Sequence, residues 1–343
     1  MKKLKVGIAG YGVVGKRRHH FMKNHPNLHV VAVCDKAFFE NYSSKDISFF
    51  NNYKELIKLK LDVLFVCLTN NIAAEVTIAG LQNGFHVFCE KPPGQSVKDI
   101  EKVIETEKKY PKLKLKYGFN HRYHDSVKKA LSLIKSCELG DIINLRGLYG
   151  KSRVIPFSGG WRSKRELAGG GILLDQGIHM LDLMRYFSGE FVEVKSFISN
   201  NYWNHEIEDN AYAIMKDEFG RIAMLNSSAT EWQHKFRLEI ALTNGYINLS
   251  GILSGSKSYG EEKIVFGKRD EESNNGQMNS TTIQFLNDNS WSEEIDEFSD
   301  SIINDKKINS GNSQDALETM KLIYKIYYND LDWRKEYDLS LIH

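Results

Sequence analysis

The sequence predicts two domains, a doubly wound α/β domain with a parallel sheet followed by an α+β domain with an open, mostly antiparallel sheet. Apolar strand-like runs alternate with helical patterns up to about residue 120, whereas from about residue 191 strand patterns follow one another directly. The chain has 343 residues, more than the ~100–200 that one domain usually takes. We therefore expect a first, doubly wound domain at 1–121 and a second, α+β domain at 122–343.

The elements of the first domain alternate regularly. The predicted strands are 4–10, 28–35, 61–69, 85–90 and 112–120, and the predicted helices are 13–24, 71–84 and 96–110. Ser96 is followed three residues later by Asp99, which is typical of a helix N-cap. Such alternation implies right-handed crossovers and a parallel sheet with helices on both faces.

The second domain begins with a predicted helix over 126–140, closed by Gly140, and a strand that starts at 141. A glycine-rich loop then leads into a predicted helix over 172–189. The strands that follow are 191–199, 210–218, 221–229, 235–243 and 245–251, and the final helix covers about 313–330. The Asn/Ser/Glu-rich stretch 268–282 predicts an exposed loop or hairpin connection. A sheet with one uncovered face favours a homodimer or homotetramer.

Composition excludes several classes of partner. Hydrophobic residues make up 41% of the chain and charged residues 26%, and Lys+Arg at 46 against Asp+Glu at 44 leaves a formal charge of +2, so no nucleic-acid partner is indicated. The four cysteines have no ligand-like spacing and are interpreted as reduced core residues. No run approaches the length of a membrane span, and "MKKLKVGIAGYG" is not typical of a signal peptide. We expect a cytoplasmic protein without a membrane partner.

The turn "GYGVVG" carries the first chemical signal. Gly10, Gly12 and Gly15 follow a strand and open a helix, where missing β-carbons let backbone N–H groups approach a pyrophosphate. Asp35 ends the second strand, twenty residues beyond Gly15, at the place where an acidic residue meets the adenosine ribose. Because its charge would repel a 2′-phosphate, NAD is favoured as the cofactor. NADP stays open as the alternative, since Lys36, Arg17 and Arg18 are nearby in the sequence.

The helix over 172–189 carries the second signal. Asp175, His179, Asp182 and Tyr186 recur at spacings of four, three and four, which places them on one helix face. The opposite stripe is apolar and consists of Leu173, Met180, Leu181, Met184 and Phe187. A histidine can take a proton from a hydroxyl near neutral pH, and either carboxylate could orient it. A merely solvated face and a metal site are the alternatives, but no third metal ligand is apparent, so no metal is predicted.

Together these features resemble the Gfo/Idh/MocA oxidoreductase family, which includes glucose–fructose oxidoreductase and inositol dehydrogenase, over nearly the whole chain. The resemblance rests on "AGYGVVG", on "CEKP" with Lys91, on "YGFNHRY", on "LLDQGIHMLDL" and on "SGNSQDALETMKLIYKIYYN". It implies that Lys91 and His179 face the nicotinamide with Asp175 beside them, and that Glu90 and the prolines hold the Lys91 backbone. Asn120 and Arg122 match the family's N-x-R.

The resemblance also implies which residues contact the cofactor. These are Gly10, Gly12, Val13, Val14, Gly15, Asp35, Lys36, Leu68, Thr69, Asn70, Glu90, Lys91 and Asn120. One loop departs from the family pattern: Leu68 and Thr69 replace Thr-Pro, and Ala73 replaces a histidine, although Asn70 is retained. The cofactor contacts of that loop are therefore in doubt.

The function that follows is reversible oxidation of a secondary alcohol on a sugar, cyclitol or nucleotide sugar. His179 would remove the hydroxyl proton and Lys91 would stabilise the oxyanion. The candidate substrate contacts are Lys91, Arg122, Tyr123, Arg153, Trp161, Arg162, Asp175, His179 and His234. The arginines would suit a carboxylate or a phosphate. Two alternatives keep the cofactor: an enzyme that cleaves glycosides through transient oxidation, and a non-catalytic NAD-binding sensor.

Overall fold

The computed structural model describes residues 3–44, 46–154, 160–254, 258–269 and 278–340. The chain forms two compact units. The first contains the chain up to Asn120 together with Glu166–Gly169 and Trp291–Leu317, and the second contains His121–Arg165, Gly170–Ser290 and the chain from Glu318 onward. The expected single cut after residue 121 does not describe this division, because two later segments lie with the first unit.

The elements alternate first and then become strand-rich. The strands are β1 (Leu4–Ala9), β2 (Leu28–Cys34), β3 (Tyr42–Ser44), β4 (Ile47–Phe50), β5 (Val63–Val66), β6 (His86–Cys89), β7 (Leu115–Tyr117), β8 (Ile142–Ser152), β9 (Phe191–Ser199), β10 (Asn210–Asp217), β11 (Ile222–Glu231), β12 (Lys235–Leu242), β13 (Gly245–Ser250), β14 (Glu262–Arg269) and β15 (Met278–Phe285). The helices are α1 (Val13–Met22), α2 (Tyr53–Leu56), α3 (Asn70–Gln82), α4 (Val97–Glu107), α5 (Asp125–Lys135), α6 (Arg165–Ala168), α7 (Ile178–Ser188), α8 (Ser290–Ile303), α9 (Ser313–Asn329) and α10 (Leu331–Glu336).

The first unit contains the predicted doubly wound sheet. Its strand order is β3-β4-β2-β1-β5-β6-β7, and every neighbouring pair is parallel except β3 with β4. The order reverses direction at β1, so the loops after β1 and β5 lie at the switch point where such folds bind ligands. The predicted cap of α4 is confirmed, since Ser96 and Asp99 form a reciprocal capping box.

Helix α8 was not predicted, and it completes the core of the first unit. Its Phe298 is fully buried and packs edge-on against Phe88 at 5.5 Å, while Phe88 stacks on Phe65 at 4.8 Å. These rings join the β-branched residues of the central strands in one apolar cluster. The Rossmann sheet therefore depends on a segment that lies about 200 residues later in the chain than β6.

The second unit contains an eight-stranded sheet in the order β15-β14-β13-β12-β8-β11-β10-β9. Its neighbours are antiparallel except β8 with β11, so the predicted mostly antiparallel sheet is confirmed. Strands β14 and β15 extend into the two ends of 268–282, the stretch predicted as a loop or hairpin connection, and Arg269 pairs with Met278. Residues 270–277 lie outside the described residues.

The predicted helix over 172–189 is divided into a π-helical turn, Leu173–Gly177, and α7. A π-helical turn contains more residues than an α-helical turn. The four-residue spacing between Asp175 and His179 therefore does not correspond to one α-helical turn, as the sequence analysis assumed. Every residue from Ile178 to Arg185 is buried, so the alternative of a merely solvated face is not supported.

Among the described residues, no helix has the length and apolar character needed to cross a membrane.

Candidate active site

The glycine turn between β1 and α1 is closely packed on one side and open on the other. Gly10 has φ +92°, and a β-carbon there would lie 2.2 Å from the Cys67 carbonyl oxygen. A β-carbon on Gly15 would lie 1.9 Å from the Gly10 oxygen, whereas one on Gly12 would have no atom within 4 Å. The turn thus packs against β5 and leaves space at Gly12, which is the arrangement that lets a pyrophosphate approach the backbone.

Asp35 follows β2 and is tied to this turn. Its Oδ2 accepts a hydrogen bond from the Tyr11 backbone N–H at 2.9 Å, and its Oδ1 accepts one from the Ala37 N–H at 2.9 Å. The half-buried carboxylate is therefore fixed between the end of β2 and the glycine turn. Lys36, beside it, is exposed.

Arg18 cannot contribute to a choice between NAD and NADP in the way that the sequence analysis considered. Its side chain is fully buried, its Nε donates to Glu90 at 2.6 Å and a terminal nitrogen donates to Glu294 at 2.7 Å. Burial raises the pKa of Glu294 to about 7, although the Arg18 guanidinium acts to lower it. The arginine is thus a buried structural cation of the Rossmann core, and a 2′-phosphate would not reach it.

Lys91 follows β6 in the stretch "CEKPP". The Glu90 N–H donates to the Val66 carbonyl at 2.9 Å, and the Glu90 carboxylate accepts from Arg18. The Lys91–Pro92 peptide bond is cis. Backbone and side-chain contacts therefore anchor Glu90, the residue before Lys91, while Lys91 itself is half-buried.

The loop after β5, where the sequence departs from the family pattern, has its own fixed contacts. The Asn70 side-chain amide is buried and donates to the Ala168 carbonyl at 2.7 Å, and the Thr69 hydroxyl donates to Asn71 at 2.7 Å. Asn70 thus ties the start of α3 to the short segment 166–169. Leu68 and Thr69 are half-buried, and Asn120 is buried.

In the second unit, His179 of α7 stacks on His121. The two ring centroids are 3.7 Å apart with an interplanar angle of 14°, and both residues are buried. The hydroxyl of Tyr149 in β8 lies 3.0 Å from Nε2 of His121. Burial raises the pKa of Tyr149 well above its ordinary value, with further contributions from Tyr259 and Asp175, so the hydroxyl keeps its proton. The sequence analysis did not select His121 or Tyr149 as site residues, although it selected Asn120 and Arg122 on either side of His121.

Asp175 lies between two cations of the same unit. Its carboxylate oxygens are 3.8 Å from Lys151 Nζ and 3.7 Å from Arg162 Nε. Lys151 was also missed by the sequence analysis. It is two residues beyond Tyr149 on β8, so both side chains lie on the same sheet face. His234 has a lowered pKa, first because of burial and then because of the Lys151 charge.

Asp182 and Arg122 form a buried ion pair. Nε of Arg122 donates to one Asp182 oxygen at 2.8 Å, and a terminal nitrogen donates to the other at 2.6 Å. The guanidinium also lies 4.5 Å from the Tyr186 ring centroid. Because both Asp182 oxygens are bound by Arg122, the alternative in which Asp182 orients His179 is not supported. Tyr123 is buried.

Glu208, another residue that the sequence analysis missed, anchors the start of the π-helical turn. Its buried carboxylate accepts from the Gly171 N–H at 2.7 Å, the Leu173 N–H at 3.0 Å and the Tyr327 hydroxyl at 2.7 Å. Burial raises its pKa, although these three donors act to lower it. Only the long-range contacts identify this role, since Glu208 is 33 residues from Asp175 in the sequence.

Of the remaining predicted substrate contacts, Trp161 and Arg162 lie in a short 3₁₀-helical turn, and Arg153 follows β8. The Arg162 guanidinium is 4.3 Å from the Trp161 ring, and Arg153 lies 5.5 Å from Tyr202 and 5.2 Å from Trp232. In the part of the chain that the structure describes, no group of three or more His, Cys, Asp or Glu side chains is placed to hold a metal ion.

Comparisons with known proteins match both halves of the chain. The family model described as "Oxidoreductase family, NAD-binding Rossmann fold" matches residues 4–119, and the "GFO/IDH/MocA C-terminal domain" matches residues 127–248. D-Glucoside 3-dehydrogenase of Escherichia coli K12 is 30% identical over 256 residues, which cover 69% of this chain and 71% of that protein.

Two further similarities come from a curated enzyme and a solved structure. Inositol 2-dehydrogenase of Salmonella typhimurium is 29% identical over 197 residues, which cover 54% of this chain and about half, 55%, of that enzyme. The crystal structure of aldose–aldose oxidoreductase from Caulobacter crescentus has the same fold, with a TM-score of 0.81, 22% identity and coverage of 96% of this chain and 98% of that one.

Proposed function

Since this chain belongs to the GFO/IDH/MocA family of NAD-binding oxidoreductases, we propose that it oxidises a secondary alcohol of a sugar or cyclitol reversibly. The family and its dehydrogenase activity are the premise. The substrate, the residue roles and the assembly are the proposal. The observation that carries it is the buried His179 imidazole in the same unit as the partly exposed Asp175–Lys151 pair.

The residues of the first unit fit NAD. The open space at Gly12 would receive the pyrophosphate, and Asp35, already fixed by two backbone N–H groups, would accept from the ribose hydroxyls. When bound, the nicotinamide supplies the hydride-accepting carbon. Arg18 is bound to Glu90 and Glu294, so it does not offer its charge to a 2′-phosphate. Lys36 is exposed next to Asp35, but the Asp35 carboxylate would repel a 2′-phosphate, and NAD is therefore the preferred cofactor.

We assign the acid–base chemistry to His179 and Lys91. His179 takes the proton from the substrate hydroxyl, because a neutral imidazole accepts a proton near neutral pH and its ring is held by the stack on His121. Lys91, on the anchored turn after β6, donates a hydrogen bond to the oxygen as negative charge develops on it. Asp175 accepts from a substrate hydroxyl and keeps Lys151 and Arg162 nearby.

The substrate class follows from the polar side chains of the second unit. Asp175, Lys151 and Arg162 offer donors and an acceptor that suit a polyhydroxylated ring. The relatives named for D-glucoside and inositol oxidation act on such rings. Arg122 is removed from the proposed substrate contacts, because Asp182 holds it in the interior.

A homo-oligomer is part of the proposal. The outer face of the second sheet exposes neighbouring apolar side chains on β9, β10 and β11: Phe197, Tyr212, Ile214, Ile222 and Met224. Tyr212 pairs with Phe197 and Ile214 with Met224 in the strand registers, so the residues form one patch. A second copy of the chain would cover this patch by a two-fold contact.

The test is a panel of free sugars, glycosides, cyclitols and nucleotide sugars with NAD⁺ or NADP⁺, followed by NADH or NADPH absorbance. We expect NAD-dependent oxidation of at least one free or glycosidic ring. Tight NAD binding by calorimetry with no turnover on any member would replace this function with the sensor. Sugar release from a glycoside without net NADH would replace it with glycoside cleavage.

A further inference from the structure

Arg153, just beyond the end of β8, lies between two exposed aromatic rings. Its guanidinium carbon is 5.5 Å from the Tyr202 ring centroid and 5.2 Å from the Trp232 centroid. Tyr202 and Trp232 are 51% and 69% exposed, so their rings are accessible to a ligand. From this arrangement we propose that Arg153 binds an anionic substituent of the substrate, a phosphate or a carboxylate carried on the sugar.

The chain around Arg153 is fixed on the β8 side. The Arg153 N–H donates to the Glu231 carbonyl at 2.7 Å, which extends the pairing of β8 with β11. The Ser152 hydroxyl donates to the Trp232 carbonyl at 2.9 Å and accepts from the Val154 N–H at 3.1 Å. Arg153 and Trp232 are therefore positioned by the same local network.

The Tyr202 side is fixed independently. The N–H groups of Tyr202 and Trp203 both donate to one carboxylate oxygen of the buried Asp209, at 2.8 and 3.1 Å. The Trp203 indole N–H donates to the Ala229 carbonyl at 2.8 Å. Two separately anchored loops thus hold the rings that flank the guanidinium, so Arg153 would lose little conformational freedom when it binds a ligand.

Among the residues that the structure describes, none compensates the charge of Arg153. No carboxylate among the described residues forms an ion pair with it, and the nearest acidic residue along β11, Glu231, is bound to Lys235 at 2.9 Å. Aromatic rings stabilise a cation over their faces and leave the N–H edge of the guanidinium as the donor surface. Two parallel N–H groups at that edge match the two oxygens of a carboxylate or phosphate.

The surrounding charges add to this preference. Lys151 and Arg162 share the single carboxylate of Asp175, at 3.8 and 3.7 Å. Together with Arg153, these side chains carry three positive charges and one negative charge. Such an excess attracts an anionic ligand and raises its rate of association.

The separation of Arg153 from Lys151 along the chain indicates how far the anionic group would lie from the sugar ring that carries it. Tyr149 and Lys151 are alternate residues of β8 and lie on one face of the strand, and Arg153 is the first residue after the strand, two residues beyond Lys151. Two residues of a strand span about 7 Å. A sugar ring beside Asp175 and Lys151 would therefore place a substituent on its far carbon near Arg153.

This inference rests on the proposed function, because it assigns the sugar ring to the side chains around Asp175. Its test measures binding and not turnover. Glucose 6-phosphate, glucuronate and glucose are titrated separately into the NAD-loaded protein, and binding is followed by calorimetry and by tryptophan fluorescence, which Trp232 should report.

We expect both anionic probes to bind at least about tenfold more tightly than glucose, as charge-assisted hydrogen bonds allow, and the difference to shrink with added salt. Arg153→Gln should remove the difference in affinity without weakening the binding of glucose. Arg153→Lys should keep part of the difference in affinity, because lysine retains the positive charge but lacks the two parallel N–H groups of the guanidinium. Arg237→Gln is the matched control, an exposed arginine on the outer face of β12.

Tighter binding of glucose 6-phosphate than of glucuronate would identify phosphate as the anionic group, and the reverse order would identify carboxylate. Equal affinity for all three probes, absence of binding by any of them, or a difference that persists in Arg153→Gln would overturn the inference. Arg153-dependent binding without NADH formation would contradict the proposed function and leave the anion site in place. The two proposals can therefore fail separately.

Discussion

The imidazole rings of His121 and His179 are stacked, with their centroids 3.7 Å apart and their planes 14° from parallel. His121 is in turn held by the Tyr149 hydroxyl, 3.0 Å from its Nε2. The stack limits the rotation of the His179 ring, and a proton acceptor works only when its lone pair is aimed at the proton. We therefore assign His121 as a positioning residue for His179.

Replacing His121 tests this assignment. His121→Phe keeps a ring against His179, whereas His121→Gln keeps a hydrogen-bonding group for Tyr149 but loses the ring. We expect His121→Gln to lower kcat by up to about 100-fold with a smaller change in KM, and His121→Phe to retain more of kcat. Steady-state kinetics of both variants measure this, with the exposed His20→Gln as control. Equal kcat in the two His121 variants would show that the stack has no positioning role.

Asp35 should determine the cofactor preference. Asp35→Asn removes the charge that repels a 2′-phosphate but keeps an oxygen for the Tyr11 or Ala37 N–H. We expect the wild type to bind NAD⁺ more tightly than NADP⁺ and the variant to bind the two more equally. Calorimetric titration of both cofactors provides the measurement, with Glu40→Gln, at an exposed carboxylate five residues beyond Asp35, as the control. A wild type that prefers NADP⁺ would contradict the assignment.

Glu294 should make stability depend on pH. Burial raises the pKa of Glu294 to about 7, from an ordinary value of 4.5, so the folded chain holds this proton more tightly than the unfolded chain. The resulting stabilisation is complete below the ordinary value and is lost as the pH rises through about 7. As the pH rises from 4.5 to about 7, the free energy of unfolding of the wild type should fall relative to that of Glu294→Gln. Urea unfolding across this range measures the difference, and a constant difference would count against the shifted pKa.

The apolar patch on the second sheet should hold the oligomer together. Ile214 is 54% exposed at the centre of the patch, so Ile214→Glu would bury a charge in the contact between copies. We expect a dimer or tetramer for the wild type and a monomer for this variant by light scattering at micromolar concentration. Phe219→Glu, in the turn after β10, changes an equally apolar exposed residue outside the patch and should leave the assembly intact. A monomeric wild type would contradict the proposed interface.

Local features of the fold could be predicted from the sequence because neighbouring residues determine them. The glycine turn at Gly10 and the capping box of Ser96 with Asp99 depend on a few adjacent residues, and both are found in the structure. The strands β9 to β13 also begin and end close to their predicted limits, because alternation of buried and exposed residues marks them.

Features that depend on distant residues could not be predicted in this way. Arg18 was considered for cofactor selection, but its partner Glu294 is 276 residues away and only the folded chain brings them together. The π-helical turn before α7 changes the register between Asp175 and His179, which a regular helix pattern does not reveal. The stack of His121 on His179 is likewise a contact between two separate segments.

The central claim is that His179 accepts the substrate proton while Lys91 stabilises the oxyanion. His179→Ala and Lys91→Ala should each lower turnover by about 10²–10⁴-fold, the range for losing a positioned acid/base or oxyanion donor. NAD affinity should change little, since the glycine turn and Asp35 carry most of that binding in this account.

The pH dependence of NADH formation tests the claim most directly. For the wild type, the rate of alcohol oxidation at saturating substrate and NAD⁺ should rise with pH through one ionisation, because only the neutral imidazole accepts a proton. In His179→Ala the residual rate should no longer show that ionisation. A variant that keeps both the ionisation and near-normal turnover would remove His179 from the mechanism.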